Sequence, residues 1–122
     1  MKLYENETLY IETEESEIPW LKVFPQKKCK ELSQCDETTR TKLFQTMLLI
    51  ETEMIKYYNP TKINIAMFGN YLPILHIHVM ARFENDSFFP EPMWGKKQRD
   101  GKLDLPDFAE FKKILLKQLS LA

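Results

Sequence analysis

The most constraining stretch of the chain is residues 75–83, where Leu75, Ile77, Val79, Ala81 and Phe83 alternate with His76, His78, Met80 and Arg82. Successive side chains of a strand point to opposite faces. The apolar set is therefore predicted to face the core, with two imidazoles and a guanidinium in a row on the other face. The chain has only two histidines, and both lie here. Residues 62–67 read as another strand, with Ile63, Ile65 and Met67 on one face and Asn64, Ala66 and Phe68 on the other. Gly69-Asn70 is a turn signal, so the two strands are predicted to be hairpin-linked and antiparallel. Asn64 then joins His76 and His78 on a polar sheet surface opposite the helix.

That helix is predicted over residues 36–58. Asp36 suits the N-cap and Glu37 the first turn, where the helix dipole favours anions. Leu43, Phe44, Met47, Leu48, Ile50, Met54, Ile55 and Tyr58 recur at three- and four-residue spacing as one broad apolar stripe. Asn59-Pro60 ends it. Residues 8–13 and 20–24 read as strands, the second stopped by Pro25, and the acidic run between them as a solvated connection. Lys27, Lys28 and Lys30 read as solvated surface. Residues 84–104 read as a loop whose Phe88, Phe89, Met93 and Trp94 must be buried, on this chain or on a second copy. Asp104 is expected to cap a last helix with Pro106 in its first turn and a stripe of Phe108, Phe111, Leu115 and Leu119. The predicted fold is one α+β domain over residues 1–122. It has a mainly antiparallel sheet of about five strands, one long helix and a C-terminal helix.

A hydrophobic fraction of 43% in 122 residues supports a core. A net charge of −1 gives no reason to expect nucleic acid or a membrane surface as partner. No apolar run is long enough to span a bilayer, and the polar start has no apolar signal core, so the expectation is a cytoplasmic protein. Cys29 and Cys35 lack the spacing of a zinc or redox motif and read as two ordinary thiols rather than a disulfide.

The histidine pair has three readings on chemistry alone. As metal ligands, two imidazoles fall short of the three or four that zinc takes, so a distant side chain would complete the site. As structural residues, both would be satisfied by backbone or solvent. As catalytic residues, a neutral imidazole is nucleophilic near neutral pH, and small perturbations change its charge.

His76-Ile77-His78-Val79-Met80, with Arg82 after it, Asn64 on the strand before and Gly69-Asn70-Tyr71-Leu72 as the turn between, resembles the histidine-triad family of nucleotide hydrolases and transferases. Phe89-Pro90-Glu91-Pro92-Met93-Trp94-Gly95 is similar to a segment of a bacterial subgroup in which the first histidine varies. The resemblance runs from the first strand to about Trp94. It implies that His76 is the nucleophile toward the α-phosphorus of a purine nucleotide, oriented by the main-chain carbonyl of Ile74. It implies that His78 donates to phosphate oxygens, and that Asn64, Asn70, Arg82 and the turn N–H groups of Tyr71 and Leu72 contact the substrate. No metal and no cofactor are implied. Dinucleoside polyphosphates such as diadenosine tetraphosphate, or nucleoside phosphoramidates, are the implied substrates, and a twofold homodimer the implied assembly. The chain departs from the family pattern at Ile74, which replaces the first histidine, at Asn70, which replaces Gln, and at Tyr71, which replaces Ser or Thr. Ile74 implies weakened or altered activity. It also supports an alternative, a non-catalytic nucleotide-binding module; a metal-dependent hydrolase is the third possibility.

Overall fold

A computed structural model describes all of residues 1–122. The elements in chain order are β1 (Lys2–Glu5), β2 (Leu9–Thr13), β3 (Trp20–Pro25), α1 (Glu37–Tyr58), β4 (Lys62–Ala66), β5 (Ile77–Arg82) and α2 (Phe108–Leu121). The strands form one five-stranded sheet in the order β1-β2-β3-β5-β4. Every neighbouring pair is antiparallel. The fold is α+β, as the pattern predicts. β5, the strand with the alternating histidines, lies between β3 and β4.

The alternation sorts residues as read. Leu75, Ile77, Val79 and Ala81 join Leu9 and Ile11 of β2, Leu21 and Val23 of β3 and Ile63 of β4 in one core. α1 lies across β2, β3 and β5, and α2 packs on α1. Leu43, Ile50 and Met54 of α1 and Phe111, Leu115 and Leu119 of α2 complete the cluster. Each such fully buried aliphatic or aromatic side chain contributes about 1.5–3 kcal/mol relative to an exposed one. Asp36 caps α1 by accepting from the Thr39 N–H, and Asn59 ends it in the left-handed conformation at φ 48°.

Several details differ from the sequence reading. The apolar stripe of α1 is narrower, because Leu48 and Ile55 face outward and are about half exposed. β1 is a strand that the pattern of residues 2–5 does not announce. Asp107, not Asp104, caps α2, and Pro106 lies just before that cap rather than inside the helix. β4 and β5 are antiparallel neighbours, but residues 67–76 connect them as a long loop rather than a tight hairpin. Cys29 and Cys35 are disulfide-bonded rather than free thiols. The short 3-10 turn Leu32–Gln34 folds the chain back and brings their Cα atoms to 5.6 Å, within disulfide reach. No helix is long and apolar enough to cross a membrane.

Candidate functional site

The second face of the sheet is where the polar residues converge. Paired residues of an antiparallel ladder share a face. Trp20 pairs with Met80 and Lys22 with His78 on one side of β5. Asn64 pairs with Met80 and Ala66 with His78 on the other. Asn64, His76 and His78 therefore meet on one face, as the pattern predicts. That face is not an open surface, however. His76 and His78 are only 8% and 7% exposed. Phe24 stacks on His76 at 4.9 Å and 18°. Trp20 and Trp94 meet His78 edge-on at 5.7 and 5.0 Å, and Phe68 lies at 6.3 Å. The loop of residues 88–94 sets Trp94 against His78 and Phe89 over the Arg82 guanidinium at 5.6 Å, and Phe88, Phe89 and Met93 are only half-buried rather than buried as expected. Trp94 itself remains 47% exposed.

Hydrogen-bond partners set the state of each imidazole. His76 Nδ1 lies 2.7 Å from the Ile74 carbonyl oxygen. A carbonyl only accepts, so Nδ1 carries the proton and the neutral ring keeps its lone pair on Nε2. At His78 the pattern is reversed: the Trp20 indole N–H donates to Nδ1 at 3.0 Å. An indole only donates, so the neutral His78 ring carries its proton on Nε2. The two rings lie 4.8 Å apart. Neither Nε2 has a protein partner, and no buried side-chain nitrogen or oxygen is left without one, so both Nε2 atoms reach solvent. Burial first, then the charges of His76 and Lys22, push the His78 pKa down to about 4, with Glu14 opposing weakly. Glu14 is held by Lys22 at 2.9 Å.

Arg82, expected among the substrate contacts, is instead committed within the fold. Its guanidinium is fully buried and donates to both Asp86 carboxylate oxygens at 2.9 and 3.1 Å, to Asn64 Oδ1 at 2.8 Å and to the Glu91 carbonyl at 2.7 Å. Burial pushes the Asp86 pKa up. The hydrogen bonds from Arg82 and from the Phe83, Phe88 and Phe89 N–H groups outweigh it, and the carboxyl ends below its usual range. Because Arg82 only donates, it fixes which end of the Asn64 amide is oxygen. The NH2 end is left free at a hollow of about 350 Å³ lined by Asn64, Ala66, Phe68, Met80, Pro92 and Trp94.

The turn residues lie outside the buried cluster. Asn70, Tyr71 and Leu72 are exposed, and no hydrogen bond from their side chains is formed. Their N–H groups also donate to nothing in the protein, while the Ile74 N–H closes onto the Leu72 carbonyl at 2.7 Å. Gly69 takes φ 76°, a left-handed conformation suited to glycine, and a Cβ there would lie 3.5 Å from the Ile74 oxygen. The turn thus folds back on the carbonyl that holds His76. No group of three or more His, Cys, Asp or Glu side chains is arranged to hold a metal ion. The sequence reading missed Trp20, Phe24 and Asp86. The alternation of Trp20, Lys22 and Phe24 on β3 was the available signal, since it puts both rings on one face.

The HIT domain family model matches residues 2–85. The chain belongs to the HIT domain family. Solved HIT structures share its fold. One is a histidine triad protein from Marinobacter aquaeolei VT8, with a TM-score of 0.80 at 25% identity, covering 98% of this chain and 90% of that one. Another is a histidine triad (HIT) protein from Sinorhizobium meliloti 1021, with a TM-score of 0.74 at 25% identity, covering 98% and 87%. A hypothetical histidine triad nucleotide-binding protein from Sulfolobus tokodaii strain7 superposes with a TM-score of 0.60 at 18% identity, covering 95% and 78%. No curated protein matches the chain significantly.

Proposed function

We propose that this HIT protein is a nucleotidyl hydrolase or transferase that works through a nucleotidyl-histidine intermediate on His76. The observation that carries the reading is the 2.7 Å contact between His76 Nδ1 and the Ile74 carbonyl, which leaves an accessible lone pair on Nε2. Nε2 attacks the α-phosphorus of a nucleotide, the bond from phosphorus to the leaving group breaks, and the leaving group takes that electron pair. Water then attacks the same phosphorus, the N–P bond breaks, and the mononucleotide departs with His76 restored. One hard displacement becomes two easier ones. The free amide end of Asn64, the Nε2–H of His78 and the unpartnered N–H groups of residues 70–72 are donors for the phosphoryl oxygens as charge develops on them. The chemistry uses no metal and no cofactor. A purine nucleotide carrying a polyphosphate or an amine, diadenosine tetraphosphate among them, is the substrate class. A main-chain carbonyl survives any side-chain change, so Ile74 in place of a histidine removes a possible relay but not the orientation of His76.

The test is product analysis across nucleotide anhydrides and phosphoramidates, with His76→Gln as the blank. His76 is packed against Phe24, so glutamine rather than alanine keeps that face filled. Turnover in the parent, an acid-labile nucleotidyl adduct, insensitivity to chelator and no turnover in the variant are expected. Equal rates in both proteins would end the nucleophile assignment. Nucleotide binding without turnover in the parent would favour the non-catalytic module, for which Ile74 is the supporting observation.

We also infer a twofold dimer formed along β4. This edge strand carries partly exposed Ile65, and Met67 and Phe68 follow just beyond its end.

A further inference from the structure

We propose that Trp20 is a positioning residue that locks His78 as a neutral donor with its proton on Nε2, and thereby biases the site toward leaving groups that depart as anions. The inference rests on the reading of His76 as nucleophile but concerns a different atom pair, the Trp20 indole N–H and His78 Nδ1 at 3.0 Å.

The geometry makes the two neighbouring imidazoles chemically opposite. A backbone carbonyl gives His76 a bare Nε2, and the indole gives His78 a protonated one. To become a cation, His78 would have to place a proton on Nδ1, directly against the indole N–H. A donor would then face a donor in a pocket walled by Trp20, Trp94 and Phe68. The charged groups around the ring are few. His76 lies beside it on the same strand, and Lys22 faces it from β3 with Glu14 held on that lysine. β4, Phe68 just after it and the loop of residues 88–94 present uncharged groups, Asn64, Ala66, Phe68 and Trp94. Only Glu14 favours a positive charge on the ring, and it is held on Lys22. With a pKa of about 4, roughly one His78 ring in a thousand is cationic at pH 7.

A neutral imidazole donates a hydrogen bond readily but is a very weak acid. Cleavage of a P–O anhydride suits it. The electron pair stays on the departing phosphate oxygen, which needs no proton at neutral pH, and the Nε2–H only stabilises that oxygen. Cleavage of a P–N bond does not suit it, because the amine must receive a proton as it leaves. In this chain Ile74 supplies no relay in place of such an acid. Trp20 therefore tilts the site toward phosphoanhydrides.

The test is Trp20→Phe, which keeps an aromatic ring beside His78 and removes the N–H together with part of the indole's bulk. In the parent, 15N spectra of the imidazoles are expected to show His78 as one neutral tautomer with its proton on Nε2. An 15N–15N coupling across the hydrogen bond to Trp20 is also expected, a reading that needs no variant. In Trp20→Phe, the tautomers should mix, the His78 pKa should rise by a unit or more, and the anhydride-to-phosphoramidate ratio of kcat should fall at least tenfold. No coupling in the parent, or an unchanged His78 tautomer and titration in the variant, would overturn the assignment whatever the activity. A changed tautomer with an unmoved substrate ratio would overturn the leaving-group bias. A changed tautomer in a protein that turns over no nucleotide would leave Trp20 as a positioning residue and instead sink the hydrolase reading.

Discussion

His76 and His78 are the same side chain two residues apart, and their neighbours give them different chemistry. The difference has a thermodynamic consequence. An unfolded histidine titrates near pH 6.5, whereas folded His78 titrates at about 4. Between these values the unfolded chain binds more protons, so stability rises with pH across that window. The contribution is complete above pH 6.5 and is lost as pH falls toward 4. Its size is on the order of 3 kcal/mol for a nearly buried ring. Urea midpoints measured from pH 7 to pH 4 should therefore decline, and His78→Gln should flatten the decline. A slope that persists unchanged in the variant would assign it to other groups. The positions of both histidines were legible in the sequence from alternation alone. Their protonation was not, because the donor to His78 comes from a residue 58 positions away.

At the scale of elements, the loop after β5 is what converts a sheet surface into a pocket. Phe88, Phe89 and Trp94 announced a loop that packs on something but not where, and they are covered only in part, Trp94 staying about half exposed. Asp86 supplies the address. It grips Arg82 with both oxygens and accepts from three loop N–H groups, so the chain must turn back over the histidines. Asp86→Ala leaves a fully buried guanidinium unpaired, and breaking such a pair costs about 3–5 kcal/mol. We expect a thermal midpoint lower by many degrees, together with greater exposure of Trp94 in quenching experiments. A variant of parental stability would show that the ion pair does not hold the loop. Gly101 contributes from the far side: a Cβ there would sit 2.6 Å from the Ser87 nitrogen, so the returning chain passes against the loop only as glycine. Neither contact follows from local pattern, because both join segments whose own periodicity is irregular.

At the scale of the molecule, the sheet has two open edges, β1 and β4. An edge strand presents unpaired N–H and C=O groups, and proteins cover or pair such rows. β4 carries exposed Ile65, with Met67 and Phe68 just beyond it, and adjoins the hollow below Asn64. The inferred twofold pairing would extend the sheet and bury these side chains. Light scattering of the parent should give the mass of two chains, and Ile65→Asp should give the mass of one. A single-chain mass for the parent would refute pairing through this strand.

By itself the sequence determined which residues share a face, where α1 begins and ends, and that both histidines stand with Asn64 of the neighbouring strand on the polar face of one sheet. These follow from backbone periodicity and capping, which act over a few residues. Only the tertiary structure decided that this side is enclosed, that Arg82 braces the fold rather than facing a ligand, that Cys29 and Cys35 are joined, and which nitrogen of each imidazole holds its proton. Those outcomes depend on atoms brought together from distant parts of the chain, and a hydrogen bond or an ion pair forms only where folding delivers its second partner.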